Sequence, residues 1–340
     1  MKLNLKICLR GGTKFAAASV LLASALTPLA SSAQEKATFL LDFLPSGEFA
    51  AYYAGVAKGF FKEQNIDLTI NRGYGSGDTV AKVSAGAAQF GIADFSAAVT
   101  ARAKTNAPVK ILSSMYSYSP HAMFVLESSG ITSFKQLSGK RVGITPGNSH
   151  RLYFPEVAQR TQLDESTVQW TNVDAASMAN LLIAKRLDAA PFYSIHYYYV
   201  NKAAEAQGEK IRMLPYVETG FTIYSSVLMS NETVVKNNPD LLKRFLAAAW
   251  KSANWANENP EEACALHVKA NPEVKADDCL GSLRAVNSLV FTDFAKKAGQ
   301  GRFEPARLEA TWKQVAKAQS LDVNFNYKTA IDTSLLPVPK

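Results

Sequence analysis

Short apolar runs rich in β-branched and aromatic residues alternate with helical patterns in the first part of the chain. Strands separated by helices pair in parallel, because each helix returns the chain to the same end of the sheet. The pattern therefore predicts an α/β domain built on a parallel sheet. The predicted elements are a strand at 37–43, a helix at 49–64, a strand at 66–71, a helix at 77–87 and a strand at 90–93.

The same alternation begins again near residue 141 and predicts a second unit of this type. Two β-rich stretches, 110–127 and 221–230, lie before and after it, and there we expect the chain to cross between domains. From Glu232 onward, apolar residues recur at helical spacing. The elements of the second unit are a strand at 141–144, a turn at 146–149, a helix at 150–160, a strand at 168–172, a helix at 175–185 and a strand at 187–192.

The composition is typical of a folded soluble protein, with 47% hydrophobic and 19% charged residues in a chain of 340. The formal net charge is +8, but Lys2, Lys6, Arg10 and Lys14 contribute four of these charges near the N-terminus. The rest of the chain is only moderately basic and has no dense run of lysine and arginine. We therefore predict no nucleic-acid partner.

The first 33 residues have the layout of a secretory signal peptide: a basic start, an apolar run at 15–29 and small residues up to Ala33. We predict cleavage after Ala33. Cys8 precedes the apolar run, whereas a lipid-attachment cysteine would follow it, so we do not expect a lipoprotein. No later run of about 20 apolar residues is present to anchor the mature chain in a membrane.

Two cysteines, Cys264 and Cys279, remain after this cleavage. In an oxidising compartment we expect them to form a disulfide, which would close a loop of about 15 residues and stabilise the fold by about 3 kcal/mol. The alternatives are two buried free thiols, or metal ligands together with His267. The sequence offers no second pair of ligands and no metal-ligand spacing among its histidines, so we predict no metal site.

Four phrases of the sequence carry a family resemblance. They are LDFLP at 41–45, AKGFFKEQNIDL at 57–68, VSAGAAQFGIAD at 83–94 and ITSFKQLSGKRVGI at 131–144. In this order they resemble the periplasmic solute-binding proteins of ABC importers, in the group that includes sulfonate, taurine, nitrate and thiamin-pyrimidine binders. The resemblance covers almost the whole mature chain.

The resemblance implies a type II periplasmic-binding fold: two α/β lobes joined by two hinge strands, with the ligand in the cleft between them. Residues 34–120 and 228–340 would form lobe one and residues 121–227 lobe two. It also implies a monomer in the periplasm that delivers a small molecule to an ABC importer's membrane permease. The alternative is a periplasmic ligand sensor that docks on a receptor, and the sequence does not distinguish this sensor from a binding protein of an importer.

An enzyme of the same fold is the alternative from another class. The yeast-type enzyme that makes the thiamin pyrimidine from pyridoxal phosphate has a catalytic lysine and a nearby histidine, and the matching positions here are Ala93 and Ala97. Its cysteine-rich stretch corresponds to residues 220–224, GFTIY. Because no amine is placed to form a Schiff base, we predict no enzyme activity and no cofactor.

Candidate ligand-binding residues lie at strand ends and helix starts of both predicted lobes, where clefts of α/β folds form. Several of them also have a structural explanation. Phe43 and Phe95 suit the core equally well, and Asp94 suits a helix cap. Tyr116 and Tyr118 alternate along a strand, so only one of them can face the cleft. At most one of Tyr197, Tyr198 and Tyr199 should reach it. The candidates are Phe43, Glu48, Phe49, Ser76, Asp94, Phe95 and Tyr116 in lobe one, and Asn148, Ser149, Arg151, Tyr193 and Tyr224 in lobe two or the return crossing.

Two of these residues bear on the class of ligand. Arg151, in the first turn of a predicted helix, could bind a carboxylate or sulfonate, unless it pairs on the surface with Glu156. Glu48 would instead favour a ligand with N–H donors, such as an aminopyrimidine. The predicted aromatic residues suit a planar organic molecule. The sequence therefore predicts a small organic ligand that is planar, anionic or both: a pyrimidine, a sulfonate or an aromatic carboxylate.

Overall fold

The computed structural model describes residues 33–337. The strands are β1 (Glu35–Leu40), β2 (Ile66–Asn71), β3 (Phe90–Asp94), β4 (Val109–Ser114), β5 (His121–Leu126), β6 (Arg141–Ile144), β7 (Gln169–Asn172), β8 (Ala190–Tyr193), β9 (Ile211–Pro215) and β10 (Ser226–Asn231). The helices are α1 (Ala50–Ala57), α2 (Phe60–Glu63), α3 (Ser76–Ser84), α4 (Phe95–Thr105), α5 (Ser149–Arg160), α6 (Ala175–Ile183), α7 (Tyr197–Glu205), α8 (Glu232–Asn237), α9 (Pro239–Glu258), α10 (Pro260–Ala270), α11 (Ala276–Val290), α12 (Asp293–Ala298) and α13 (Pro305–Ala318).

The predicted export signal, apart from Ala33, lies outside the described residues. Within residues 33–337, no helix combines the length and the apolar character needed to cross a bilayer.

The first sheet has the strand order β2-β1-β3-β10-β4. β1 pairs in parallel with both neighbours, so that Leu40 lies opposite Asn71 on one side and Gly91 on the other. Edge strand β2 begins with alternating buried and exposed residues, whereas central β3 is buried throughout. The carboxyl ends of β1, β2 and β3 therefore meet at one edge, where ligands bind in open α/β sheets.

The second group of strands comes from the middle of the chain. β5 lies between β8 and β9 and is antiparallel to both. β6 and β7 form a parallel pair, and a single bridge between Val142 and Ala189 links β6 to the residue before β8. α5 and α6 connect these strands, which makes the second lobe another α/β unit.

Two segments connect the lobes, residues 115–120 after β4 and residues 216–225 before β10. They lie side by side: the Met115 N–H donates to the Ser226 carbonyl over 2.8 Å, and the Ser225 N–H donates to the Tyr116 carbonyl over 3.2 Å. Such paired crossing strands can bend together, which is the geometry of a hinge.

The C-terminal helices complete the core of the first lobe and also contact the second. On α9, Phe245 stacks on Phe90 with 3.7 Å between ring centroids. On α13, Lys317 forms an ion pair of 2.9 Å with Glu156 of α5. The segment predicted as part of lobe one therefore contacts both lobes.

A disulfide joins Cys264 of α10 to Cys279 of α11. The start of α11 packs directly on Gly47, where a Cβ atom would lie 2.4 Å from the Cys279 carbonyl oxygen. Since only glycine permits this close approach, the hairpin of α10 and α11 holds the turn at Gly47–Phe49 in place. That turn carries Glu48.

Candidate functional site

A small cavity, which we call the inner cavity, lies where the two lobes meet. Its volume is about 30 Å³, far below the several hundred Å³ of pockets that enclose organic ligands. The lobes must therefore separate to admit such a ligand. The lining residues are Asp42, Phe43, Glu48, Gly75, Ser76, Asn148, Ser149, His150, Pro191, Phe192, Tyr193 and His196.

Asp42 reaches the inner cavity because it follows β1 at the sheet edge. Its Oδ2 accepts a hydrogen bond of 2.7 Å from the hydroxyl of Ser76, the first residue of α3. The same hydroxyl accepts a bond of 3.0 Å from the Asp94 N–H at the end of β3. Burial, reinforced by the nearby Glu48 carboxylate, raises the pKa of Asp42 to about 8. The group is therefore mostly a neutral carboxylic acid at pH 7.

Glu48 is the second carboxyl group of the inner cavity and is only 4% exposed. The Tyr116 hydroxyl donates to it over 3.3 Å, and its contact with His196 Nε2 is also 3.3 Å. Both bonds are long for charge-assisted contacts, which leaves acceptor capacity for a ligand. The His196 ring stacks on Phe43, with 5.2 Å between centroids.

A polar network lies beneath the inner cavity and is centred on Asp94. This carboxylate caps α4 through the Ser96 N–H at 2.9 Å, and it accepts from the hydroxyls of Tyr153 and Ser225. It also lies 3.5 Å from Nε2 of His121. Burial raises the pKa of Asp94 and lowers that of His121 to about 3. The network joins both lobes and a crossing segment, so Asp94 has the structural role that sequence alone already favoured.

The lining of the inner cavity contains two carboxyl groups and neither lysine nor arginine. Its walls include the aromatic rings of Phe43, Phe192 and Tyr193. Such a site accepts hydrogen bonds from a planar ligand, and Asp42 in its neutral form can also donate one. Within residues 33–337, no cluster of three or more His, Cys, Asp or Glu residues is arranged to hold a metal ion.

The raised pKa of Asp42 gives a testable dependence of stability on pH. This pKa rises from 3.8 to about 8 on folding, so the folded state binds the proton more tightly. The stabilisation is complete below pH 3.8 and is lost as the pH rises through 8. We expect the melting temperature of the ligand-free wild type to fall relative to Asp42→Asn between pH 4 and 8. Asp67→Asn, at an exposed position of β2, is the matched control and should show no such trend.

Six of the twelve sequence-predicted ligand residues line the inner cavity and six do not. Those brought together are Phe43, Glu48, Ser76, Asn148, Ser149 and Tyr193. Phe49 and Phe95 are core residues, Asp94 belongs to the network beneath, and Tyr116 contacts Glu48 from behind. Tyr224 is fully buried, and its hydroxyl accepts from the Glu304 N–H over 2.8 Å.

The structure does not bring Arg151 to the inner cavity. Its guanidinium forms an ion pair with Glu165 and lies over the ring of Trp170, 4.6 Å from the centroid. The expected alternative partner, Glu156, instead pairs with Arg160 and Lys317. The helix start was correctly placed, but the outward direction of this side chain depends on the packing of α5. Arg151 therefore gives no support for an anionic ligand in the inner cavity.

Sequence reasoning missed Asp42, His150 and His196 as residues of this cavity. Asp42 had a detectable signal, because it directly follows a predicted strand in the phrase at 41–45. His196 had none, since it meets Glu48 only through contact between the lobes. Among the three consecutive tyrosines, none lines the inner cavity, while Tyr199 lines a neighbouring cavity.

The fold is that of periplasmic binding proteins. The alkanesulfonate-binding protein SsuA from Xanthomonas axonopodis pv. citri superimposes with a TM-score of 0.67 over 88% of this chain and 98% of that one, at 12% identity. The predicted type II fold is therefore confirmed. The family model described as "NMT1/THI5 like" matches residues 46–263, and the chain belongs to this family. This confirms the resemblance found in the sequence.

Named relatives of this chain include both binding proteins and enzymes. It is 27% identical to the formylaminopyrimidine-binding protein of Halalkalibacterium halodurans, over 72% of this chain and 74% of that protein. It is 25% identical to 4-amino-5-hydroxymethyl-2-methylpyrimidine phosphate synthase of Legionella pneumophila, over 72% of this chain and 77% of that one. Both names refer to pyrimidines, although one protein binds its ligand and the other is a synthase.

Proposed function

We propose that this protein is a periplasmic binding protein that captures a small planar ligand with N–H donors, of the aminopyrimidine class, and delivers it to an ABC permease. The single observation that carries the proposal is the inner cavity with two buried carboxyl groups, aromatic walls and neither lysine nor arginine. An alkanesulfonate would meet these carboxyl groups with no lysine or arginine in the lining to compensate its charge, which is costly in a buried site.

An aminopyrimidine complements these groups in detail. Its exocyclic amine donates two hydrogen bonds and its neighbouring ring nitrogen accepts one. A neutral carboxylic acid offers one acceptor and one donor with the same spacing, which suits Asp42, whose pKa is about 8. The Glu48 carboxylate can accept the remaining amine hydrogen, and Phe43 or Tyr193 can stack on the ring.

Titration calorimetry on the mature chain tests this proposal. The probes are 4-amino-5-hydroxymethyl-2-methylpyrimidine and, as the matched negative, ethanesulfonate. We expect saturable binding of the pyrimidine at micromolar concentration and no heat from the sulfonate. Binding of the sulfonate in preference to the pyrimidine would contradict the proposed ligand class.

Pyrimidine synthesis from pyridoxal phosphate is the second candidate, since a relative is named for it. The lining of the inner cavity contains no lysine that could form an imine with the aldehyde. The position that matches the catalytic lysine is Ala93, which is fully buried in β3. An imine absorbance on addition of pyridoxal phosphate would support the enzyme, and its absence together with pyrimidine binding would support the binding protein.

Import and sensing differ in what the bound form does next. We favour import, because structural neighbours with this fold include ligand-binding components of import systems. Uptake of radiolabelled pyrimidine by cells with and without the gene distinguishes the two. Import predicts loss of uptake in the deletion strain, whereas unchanged uptake with a lost transcriptional response would indicate a sensor.

A further inference from the structure

A second and much larger cavity, which we call the outer cavity, adjoins the inner one. Its volume is about 700 Å³, within the range of pockets that enclose organic ligands. Phe43 lines both cavities and is the shared wall between them. Both lobes and the disulfide hairpin contribute to the outer cavity, through residues such as Ile70, Ala179, Tyr199 and Val274. Its walls therefore combine apolar side chains with polar and charged ones.

Arg72 is the unusual residue of the outer cavity. Its Nε and Nη2 atoms are buried, yet neither has a hydrogen-bond partner. In residues 33–337, no carboxylate oxygen lies within the 4.0 Å of an ion pair from this guanidinium, whose only charge-related contact is the ring of Tyr74 at 4.5 Å. Buried donors without an acceptor are costly, more so when they are charged. The surroundings of Arg72 therefore favour the binding of an anion.

The remaining charges around the outer cavity do not neutralise Arg72. Two acidic residues, Glu273 and Asp278, line it together with Lys275. Asp278 is engaged by Lys202 at 3.4 Å. Arg72 and Lys275 therefore face a cavity in which Glu273 is the remaining acid, so a ligand group with negative charge gains attraction there.

The chain places Arg72 at the same edge of the sheet as Asp42. β1 and β2 are parallel neighbours, so Asp42 and Arg72 follow their strands at the same sheet edge. The segment after Arg72 is tied to this loop, because the Gly75 N–H donates to the Asp42 carbonyl over 2.9 Å and the Gly73 N–H to that of Phe43 over 3.4 Å. Since Phe43 lines both cavities, a ligand that displaces this side chain would extend from the inner cavity into the outer one.

We propose that the ligand has two parts: a planar N–H-donating head held by Asp42 and Glu48, and an anionic group, such as a phosphate or carboxylate, held by Arg72 in the outer cavity. This inference rests on the proposed function for the planar head of the ligand. It adds the anionic group, which we call the tail. A guanidinium binds such oxyanions through two parallel N–H donors, and Arg72 lines the outer cavity.

The test compares 4-amino-5-hydroxymethyl-2-methylpyrimidine with its phosphate monoester by titration calorimetry. We expect the wild type to bind the ester about tenfold or more tightly, as for a hydrogen-bonded charge pair. Arg72→Gln should bind the two compounds equally and keep the wild-type affinity for the alcohol. Arg72→Lys keeps the charge without the planar fork and should retain part of the preference. Arg186→Gln, which removes one exposed positive charge elsewhere, should behave as the wild type.

Each outcome decides between the two proposals. Equal affinities in the wild type, or a preference that persists in Arg72→Gln, would overturn the role of Arg72 while leaving the aminopyrimidine head intact. If neither compound binds the wild type at millimolar concentration, the proposed ligand class fails and the tail fails with it. Melting curves of all variants show whether the fold is retained, and Arg72→Lys provides the comparison if Arg72→Gln does not fold.

Discussion

Exchange of Glu48 for glutamine is expected to lower the affinity for 4-amino-5-hydroxymethyl-2-methylpyrimidine by about 50-fold, the effect of losing a hydrogen bond to a buried charged acceptor. Glu48 is 4% exposed and lies on the wall of the inner cavity. The amide keeps the shape of the side chain but replaces one acceptor oxygen with a donor. That amide donor would face the ligand amine or the Tyr116 hydroxyl, and both of these donate hydrogen bonds to the carboxylate.

The matched control for this exchange is Glu262→Gln. Glu262 is on α10 with a side chain that is 54% exposed, and it pairs with Lys58 at 3.1 Å. Its exchange removes the same charge without touching the inner cavity and should leave the affinity unchanged. An affinity of Glu48→Gln within twofold of the wild type, with the control also unchanged, would exclude Glu48 from ligand recognition.

Replacement of both Cys264 and Cys279 by serine is expected to lower the free energy of unfolding by about 3 kcal/mol, in the chain-entropy model for a loop of about 15 residues. The loss arises mainly because the unfolded chain regains its freedom. The contact of α11 with Gly47 predicts an additional effect on binding, since this turn carries Glu48. Urea denaturation of the oxidised wild type and the double variant measures the first effect, and calorimetry with the pyrimidine measures the second.

Reduction of the wild type provides the control for this experiment. The reduced wild type and the double serine variant should show the same midpoint of urea denaturation, because both lack the cross-link. If the oxidised and reduced wild type unfold at the same urea concentration, the disulfide contributes no stability. A stable double variant with unchanged pyrimidine affinity would show that α11 holds the turn without help from the cross-link.

Local patterns predicted most of the secondary structure, because strand and helix periodicity is a local property. β2 at 66–71 and β6 at 141–144 have the predicted bounds. The helix expected at 49–64 is instead a short turn, α1 and α2, interrupted at Gly59, where φ is +79°. The short helix after this glycine depends on Phe60 and Phe61, which pack into the core.

The candidate site was predictable only where its residues belong to strand ends or helix starts. Ser76, Asn148 and Ser149 are of this kind, and topology alone brings them to one edge. Arg151 does not line the inner cavity, because a side chain in the first turn of a helix can point toward the cleft or away from it. Which of these it does depends on Glu165 and Trp170, residues that only the folded lobe places beside it.

The sequence by itself determined the two α/β units, the crossing segments and the family, since these depend on periodicity and on contiguous phrases. Tertiary structure alone decided the chemistry of the cleft. His196 is 148 residues from Glu48 along the chain, and these two residues meet only when the lobes are in contact. In the folded protein, burial raises the pKa of Asp42 to about 8, and two buried nitrogens of Arg72 have no hydrogen-bond partner. Burial of charge depends on all surrounding atoms, and no local pattern in a sequence records it.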